Sequence, residues 1–141
     1  MGCDMHCVVE AHNKKSGEWE CFGVSTAHRN YSLFSRIADV RNSEDEASYI
    51  EPIDDPRGWP VDASGPADAW YNRIDIPFSA TWLERKELES LNIWVREREM
   101  GDLWKMLEFD HLSCFFSFDK GWEKAAFARY SNLRVIFFFD C

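Results

Sequence analysis

No apolar run in this 141-residue sequence approaches the ~20 residues that a membrane helix needs. Also missing are the phosphate loop, the nucleophile elbow, His-Glu-x-x-His and Cys-x-x-Cys, so the enzyme classes those motifs mark have no support. Cations are few: 16 Lys and Arg stand against 25 Asp and Glu, a net charge of -9. With no basic stripe, direct binding to nucleic acid or to an anionic membrane is not expected. The opening Met1 to His6 lacks the basic start and apolar run of a secretory signal, which makes the cytoplasm the expected location. The five cysteines, Cys3, Cys7, Cys21, Cys114 and Cys141, are an odd number, and reduced thiols are the simpler expectation.

Aromatic residues are plentiful. Seven Trp, eleven Phe and four Tyr exceed what a small core needs, so some rings are expected on surfaces or in pockets. The negative charge is concentrated: residues 44 to 75 hold nine acids against Arg57 and Arg73, which is -7 of the total. The length fits one domain over residues 1–141, with an acidic loop at about 43–72.

Residues 3 to 11 alternate Cys3, Met5, Cys7 and Val9 against Asp4, His6, Val8 and Glu10, the two-residue period of a strand. A polar turn at 13–17 and a returning strand at 18–24 complete an N-terminal hairpin. Tyr31 to Val40 spaces Leu33, Phe34, Ile37 and Val40 as a short helix, with Asn30 or Ser32 as its cap. From 41 to 72 the prolines and glycines predict an irregular segment. Residues 78–83 read as an edge strand or a helix entrance. Helical spacing then runs from 85 to 107 with a bend at Gly101, and again from 120 to 130. The continuous apolar run at 133–139 must be buried on both faces, which places it centrally in a sheet. The predicted class is α+β: a small, mostly antiparallel sheet with the hairpin beside a central C-terminal strand. Helices lie largely on one face, and the long acidic Pro-rich loop crosses an edge.

Asp4 and His6 share a strand face at ~7 Å, close enough to converge on a ligand or a divalent metal. A solvated strand face accounts for the same pair equally simply. Asp140 and Arg134 lie on one face of the last strand, which a central position would carry towards the hairpin. His28 to Tyr31 at a helix entrance offers Arg29 to an anion, or forms only a cap beside a surface arginine. Arg57-Gly58-Trp59-Pro60 reads as a rigid turn that either packs as a lid or presents a guanidinium and an indole.

The opening Met-Gly-Cys-Asp-Met-His, then Arg29 to Phe34, Ala38 to Asn42, Pro56 to Pro60 and the closing Arg134 to Asp140 carry a resemblance. Together they resemble a family of small uncharacterised proteins encoded by bacteriophages and bacteria. These begin Met-Gly-Cys-Asp-(Ile/Met)-His and end Arg-Val-(Ile/Val)-Phe-x-Phe-Asp. The resemblance implies Asp4, His6, Glu10 and Asp140 as candidate site positions, with Arg29, Asn30, Arg41, Asn42 and Arg57 as ligand-binding candidates. It also implies the host-cell cytoplasm as the location of a phage-encoded member. Family members often carry histidines before Ser-Trp-Leu; here residues 74–79 contain none.

Two functions are weighed. One is a phage-type accessory protein that acts by binding, as a counter-defence inhibitor of anti-CRISPR or anti-nuclease type. Glu44, Asp45, Glu46, Asp54 and Asp55 would then face a basic host protein or nucleoprotein, anchored by Trp59, Trp70 and Tyr71. The other is a small-ligand-binding protein or metal-assisted hydrolase of a phosphorylated or nucleotide compound. Asp4, His6 and Asp140 would hold a divalent metal or move protons.

Overall fold

Strand β1 (Asp4–Asn13) is buried from Met5 to Ala11 on both faces, because it has a neighbour on each edge and a covered surface above and below. In the computed structural model, which describes residues 2–118 and 121–141, β1 pairs antiparallel with β2 (Trp19–Thr26) and with the C-terminal strand β6 (Tyr130–Asp140). The edge strand β3 (Phe78–Glu84) joins β6, giving the order β2-β1-β6-β3. The apolar run Val135 to Phe139 is therefore internal, as such a run requires.

One face of this sheet presents Met5, Cys7, Val9, Val135, Phe137 and Phe139 to the main core. Helix α1 (Tyr31–Ala38) packs there through Leu33, Phe34 and Ile37. Its N-cap is Asn30, whose side chain accepts from the Leu33 amide at 3.1 Å. Helix α3 (Arg85–Glu97) starts in a Glu84/Glu87 capping box and buries Leu88, Leu91 and Val95. The predicted bend falls at Gly101, whose φ of 108° suits glycine, and α4 (Leu103–Met106) follows with Trp104 buried. The two-stranded ribbon of β4 (Phe116–Ser117) and β5 (Gly121–Trp122), with α5 (Lys124–Arg129), closes this layer through Phe116, Trp122 and Ala126. Helices thus lie largely on one face, in an α+β arrangement.

The Pro-rich segment departs from expectation in two respects. It holds a helix, α2 (Gly65–Asn72), and it lies over the sheet's second face instead of only crossing an edge. The physical reason is the apolar set Val8, Ile136 and Phe138 on that face, which needs a cover. Trp59, Ala67, Trp70, Tyr71 and Ile74 supply it. Ser64-Gly65-Pro66 reads as a turn in sequence, yet Ser64 is an N-cap and Pro66 sits in the first helical turn, where its missing N–H costs nothing.

The expectation of five reduced thiols is also corrected. Cys3 and Cys141 form a disulfide, leaving Cys7, Cys21 and Cys114 free. The β1–β6 register explains the pairing. Asp4 lies opposite Asp140, and the two cysteines are one step beyond that pair on the strands' other face.

Candidate functional site

The alternation that puts Asp4 and His6 on one face of β1 combines with two registers. Thr26 stands opposite His6 on β2, and Asp140 stands opposite Asp4 on β6. The His6 ring is held between them, with Nδ1 2.8 Å from Thr26 Oγ1 and Nε2 3.2 Å from Asp140 Oδ1. The hydroxyl can donate to Nδ1 while Nε2–H donates to the carboxylate, a set of roles suited to moving a proton between the sheet and its surface. Trp70 packs edge-on against the imidazole at 5.6 Å and Phe138 lies beneath it at 5.1 Å. His6 is thus 6% exposed, while the Asp140 side chain keeps 36%.

Asp4 accepts from Arg29 Nε at 2.8 Å. That hydrogen bond, against the opposing effect of burial, holds the Asp4 carboxyl below the usual carboxylate range. Beyond Asp4, Arg29 lines a cleft of about 370 Å³ with His28, Asn30, Lys105 and the apolar Met100 and Met106; Asp102 also lines it. His28 and Lys105 line a second depression as well, with Glu108, Asp110 and His111. Arg29, His28 and Lys105 thus line one cleft, with Arg29 bonded to Asp4 and His28 paired with Glu108.

The other ligand-binding candidates occupy different places. Asn30 serves as the α1 cap, although it also lines the Arg29 cleft. Arg41 sits over Tyr31 at 5.3 Å and donates towards Cys3 Sγ at 3.2 Å, close to the chain-end disulfide. Asn42 fastens the acidic loop: its amide donates to Asp39 Oδ1 and to the Ile50 carbonyl, both at 2.7 Å, while its oxygen accepts from the Ile50 amide at 3.0 Å. Arg57 belongs to the β3–α3 corner, where it pairs with Glu87, donates to the Trp82 carbonyl at 2.8 Å and reaches Asp54 at 3.3 Å. It is not brought to the His6 group.

Among the partner candidates, Glu44, Asp45, Glu46, Asp54 and Asp55 are exposed. Trp59, Trp70 and Tyr71 are half-buried and turned inward. Trp59 stacks on Tyr71 at 4.1 Å, and both rings meet Phe138. Their rings cover the second sheet face, and each keeps part of its surface exposed.

Among the described residues, no three His, Cys, Asp or Glu side chains are grouped so as to hold a metal ion. Asp4 turns to Arg29 while His6 turns to Asp140, so the proposed metal pair is divided. The histidine-free segment 74–79 runs beside this end of the sheet, with Phe78 opposite Phe139.

Sequence reasoning did not single out Thr26, Lys105, or Asp62 and Ser64 beside Glu10, and it carried Arg134 towards the hairpin without pairing it to Glu10. Glu10 is fully buried against Arg134, with Asp62 and Ser64 completing the network. A register shift between Val9 and Glu10 hides the hairpin pairing that would have led to Thr26.

Compared with known proteins, the chain matches no family model, no curated sequence and no solved structure.

Proposed function

We propose that the protein binds a small anionic ligand, of the phosphorylated class, in the cleft lined by Arg29, His28 and Lys105. The Asp4–His6–Asp140 group stands next to it as a proton-handling element. The observation that carries this reading is the position of Arg29, which both pairs with Asp4 and lines the cleft. A fixed guanidinium with a neighbouring ammonium suits phosphate oxygens. The metal-assisted version is not proposed, because Asp4 and His6 are engaged with different partners.

Titration with pyrophosphate tests the idea by calorimetry. Saturable binding is expected, and Arg29→Ala or Lys105→Ala should each weaken it about tenfold, ~1.4 kcal/mol. Arg57→Ala, at the distant corner, should leave the affinity unchanged. Absence of saturable heat, or equal affinity in all three variants, would sink the proposal.

The second reading, a phage-type binding protein with counter-defence activity against a basic host protein or nucleoprotein, draws on the exposed carboxylates of Glu44, Asp45, Glu46, Asp54 and Asp55. Its expected signature is an association rate that falls steeply as salt rises through ~0.15 M, where the screening length is about 8 Å. Neutralising those five acids should slow association with a captured partner while the domain stays folded. A rate indifferent to salt and to the five changes argues against this electrostatic version.

A further inference from the structure

The far end of β1, roughly 30 Å from Asp4 along the strand, carries a cleft that none of the functions above uses. Its volume is about 640 Å³, within the usual range for small-molecule sites. The walls combine two kinds of chemistry. Phe22, Phe115 and Tyr130 provide ring surface, with Phe22 edge-on to Tyr130 at 5.3 Å and stacked with Phe115 at 6.3 Å. Lys14, Lys15 and Arg129 provide positive charge, and none of the described lining residues is acidic. That is notable in a chain of net charge -9.

The cations are held in relation to one another by the fold. The Lys14 amide donates to the Arg129 carbonyl at 3.0 Å, and Lys14 Nζ reaches the Phe127 carbonyl, so the hairpin turn is joined to the end of α5. Asn13 and Lys15 belong to the same turn, where the Lys15 amide donates to Asn13 Oδ1 at 2.8 Å. Ala125 and Ala128 line the α5 side and leave the cleft its depth. Glu20, outside the described lining, accepts from the Asn13 side-chain amide at 3.2 Å.

We infer that this cleft binds a ligand with a planar aromatic ring joined to a phosphate-type anion, that is, a mononucleotide. The ring would lie against Phe22 and Phe115, whose faces accept a base without regard to its identity. Lys15 and Arg129, both exposed, would reach the phosphate. Neither half alone satisfies the cleft: an inorganic anion leaves the rings uncovered, and a neutral nucleoside leaves the cations unused. This site shares no residue with the Arg29 cleft, so the two proposals stand or fall separately.

The test is calorimetric titration of the full chain with AMP, and with adenosine and ribose 5-phosphate as its two halves. AMP should bind saturably, and each half should bind at least tenfold more weakly. Lys15→Glu and Arg129→Glu, both surface changes, should each weaken AMP binding tenfold or more with an unchanged circular dichroism spectrum. Phe115→Ala should act similarly, although Phe115 also packs on the core. Arg57→Ala, in neither cleft, should have no effect. No saturable AMP binding up to millimolar concentration would overturn the inference, as would binding that Lys15→Glu and Arg129→Glu leave intact. A short single-stranded oligonucleotide that binds far more tightly than AMP would also overturn it, in favour of a nucleic-acid strand.

Discussion

Replacing Glu10 by Ala should destabilise the fold by about 3–5 kcal/mol, the usual cost of removing one partner from a buried ion pair. Glu10 has no exposed surface, and the Arg134 side chain is 4% exposed. One carboxylate oxygen accepts from Arg134 Nε at 2.8 Å and from Nη2 at 2.7 Å. The other accepts from the Ser64 amide at 2.8 Å. Without the carboxylate, a guanidinium stacked over Trp19 at 3.9 Å keeps only the contacts from Asp62, whose side chain is 61% exposed. Total stabilities of 5–15 kcal/mol make this loss a large fraction of the whole. Asp62→Asn should cost no more than ~1 kcal/mol, because the Asp62 side chain is 61% exposed and Glu10 still neutralises Arg134. Replacing Glu10 and Arg134 together by Met should fall near neutral, since no charge is left stranded. Urea unfolding monitored by tryptophan fluorescence separates these cases. A Glu10→Ala variant within about 1 kcal/mol of the parent would mean that water or local relaxation satisfies Arg134.

The same network connects stability to the candidate site. Glu10 and Arg134 grip Asp62 and Ser64, and Ser64 caps the helix that carries Trp70 over His6. Loosening the grip should therefore expose the His6 ring before the main core is disturbed. This dependence could not be read from the chain. Glu10 and Arg134 are 124 residues apart, and an acidic residue on a strand face resembles a solvated one until its cover is known.

What was legible followed local periods. The alternation at 3–11 and the unbroken apolar run at 133–139 led to β1 and to a central β6, because both report burial directly. Asn30 and Gly101 marked a helix start and a bend through backbone chemistry alone. The cover of the second face was not legible, because its apolar residues come from a segment dominated by turn formers and by acids that stay in water. A central last strand carries Asp140 only towards the hairpin, and it is the register that supplies the 3.2 Å contact with His6. Thr26 and Lys105 had no comparable signal: one depends on a bulged pairing, the other on how α4 meets the α1 entrance.

Thiol titration of the unfolded, unreduced protein should find three free groups, from Cys7, Cys21 and Cys114, and reduction should raise the count to five. Burial pushes the Cys7 thiol well above its ordinary pKa, so in the folded protein it should react slowly. The Cys3–Cys141 bond spans 138 residues. A link that long removes much of the unfolded chain's freedom, and disulfides typically contribute about 2–4 kcal/mol, with chain-entropy models giving ~4.7 for a 100-residue loop. Cys3→Ser and Cys141→Ser should each lose about that much, and reducing the parent should do the same. Both substitutions should also weaken the His6–Asp140 contact, because Asp4 and Asp140 are the residues next to the bond on β1 and β6. The redox setting enters here, since such a bond persists in oxidising surroundings and is rare in reducing ones. If unreduced protein already yields five thiols, the two strands are held at that end by register and packing alone, and the Cys3→Ser variant should then be as stable as its parent.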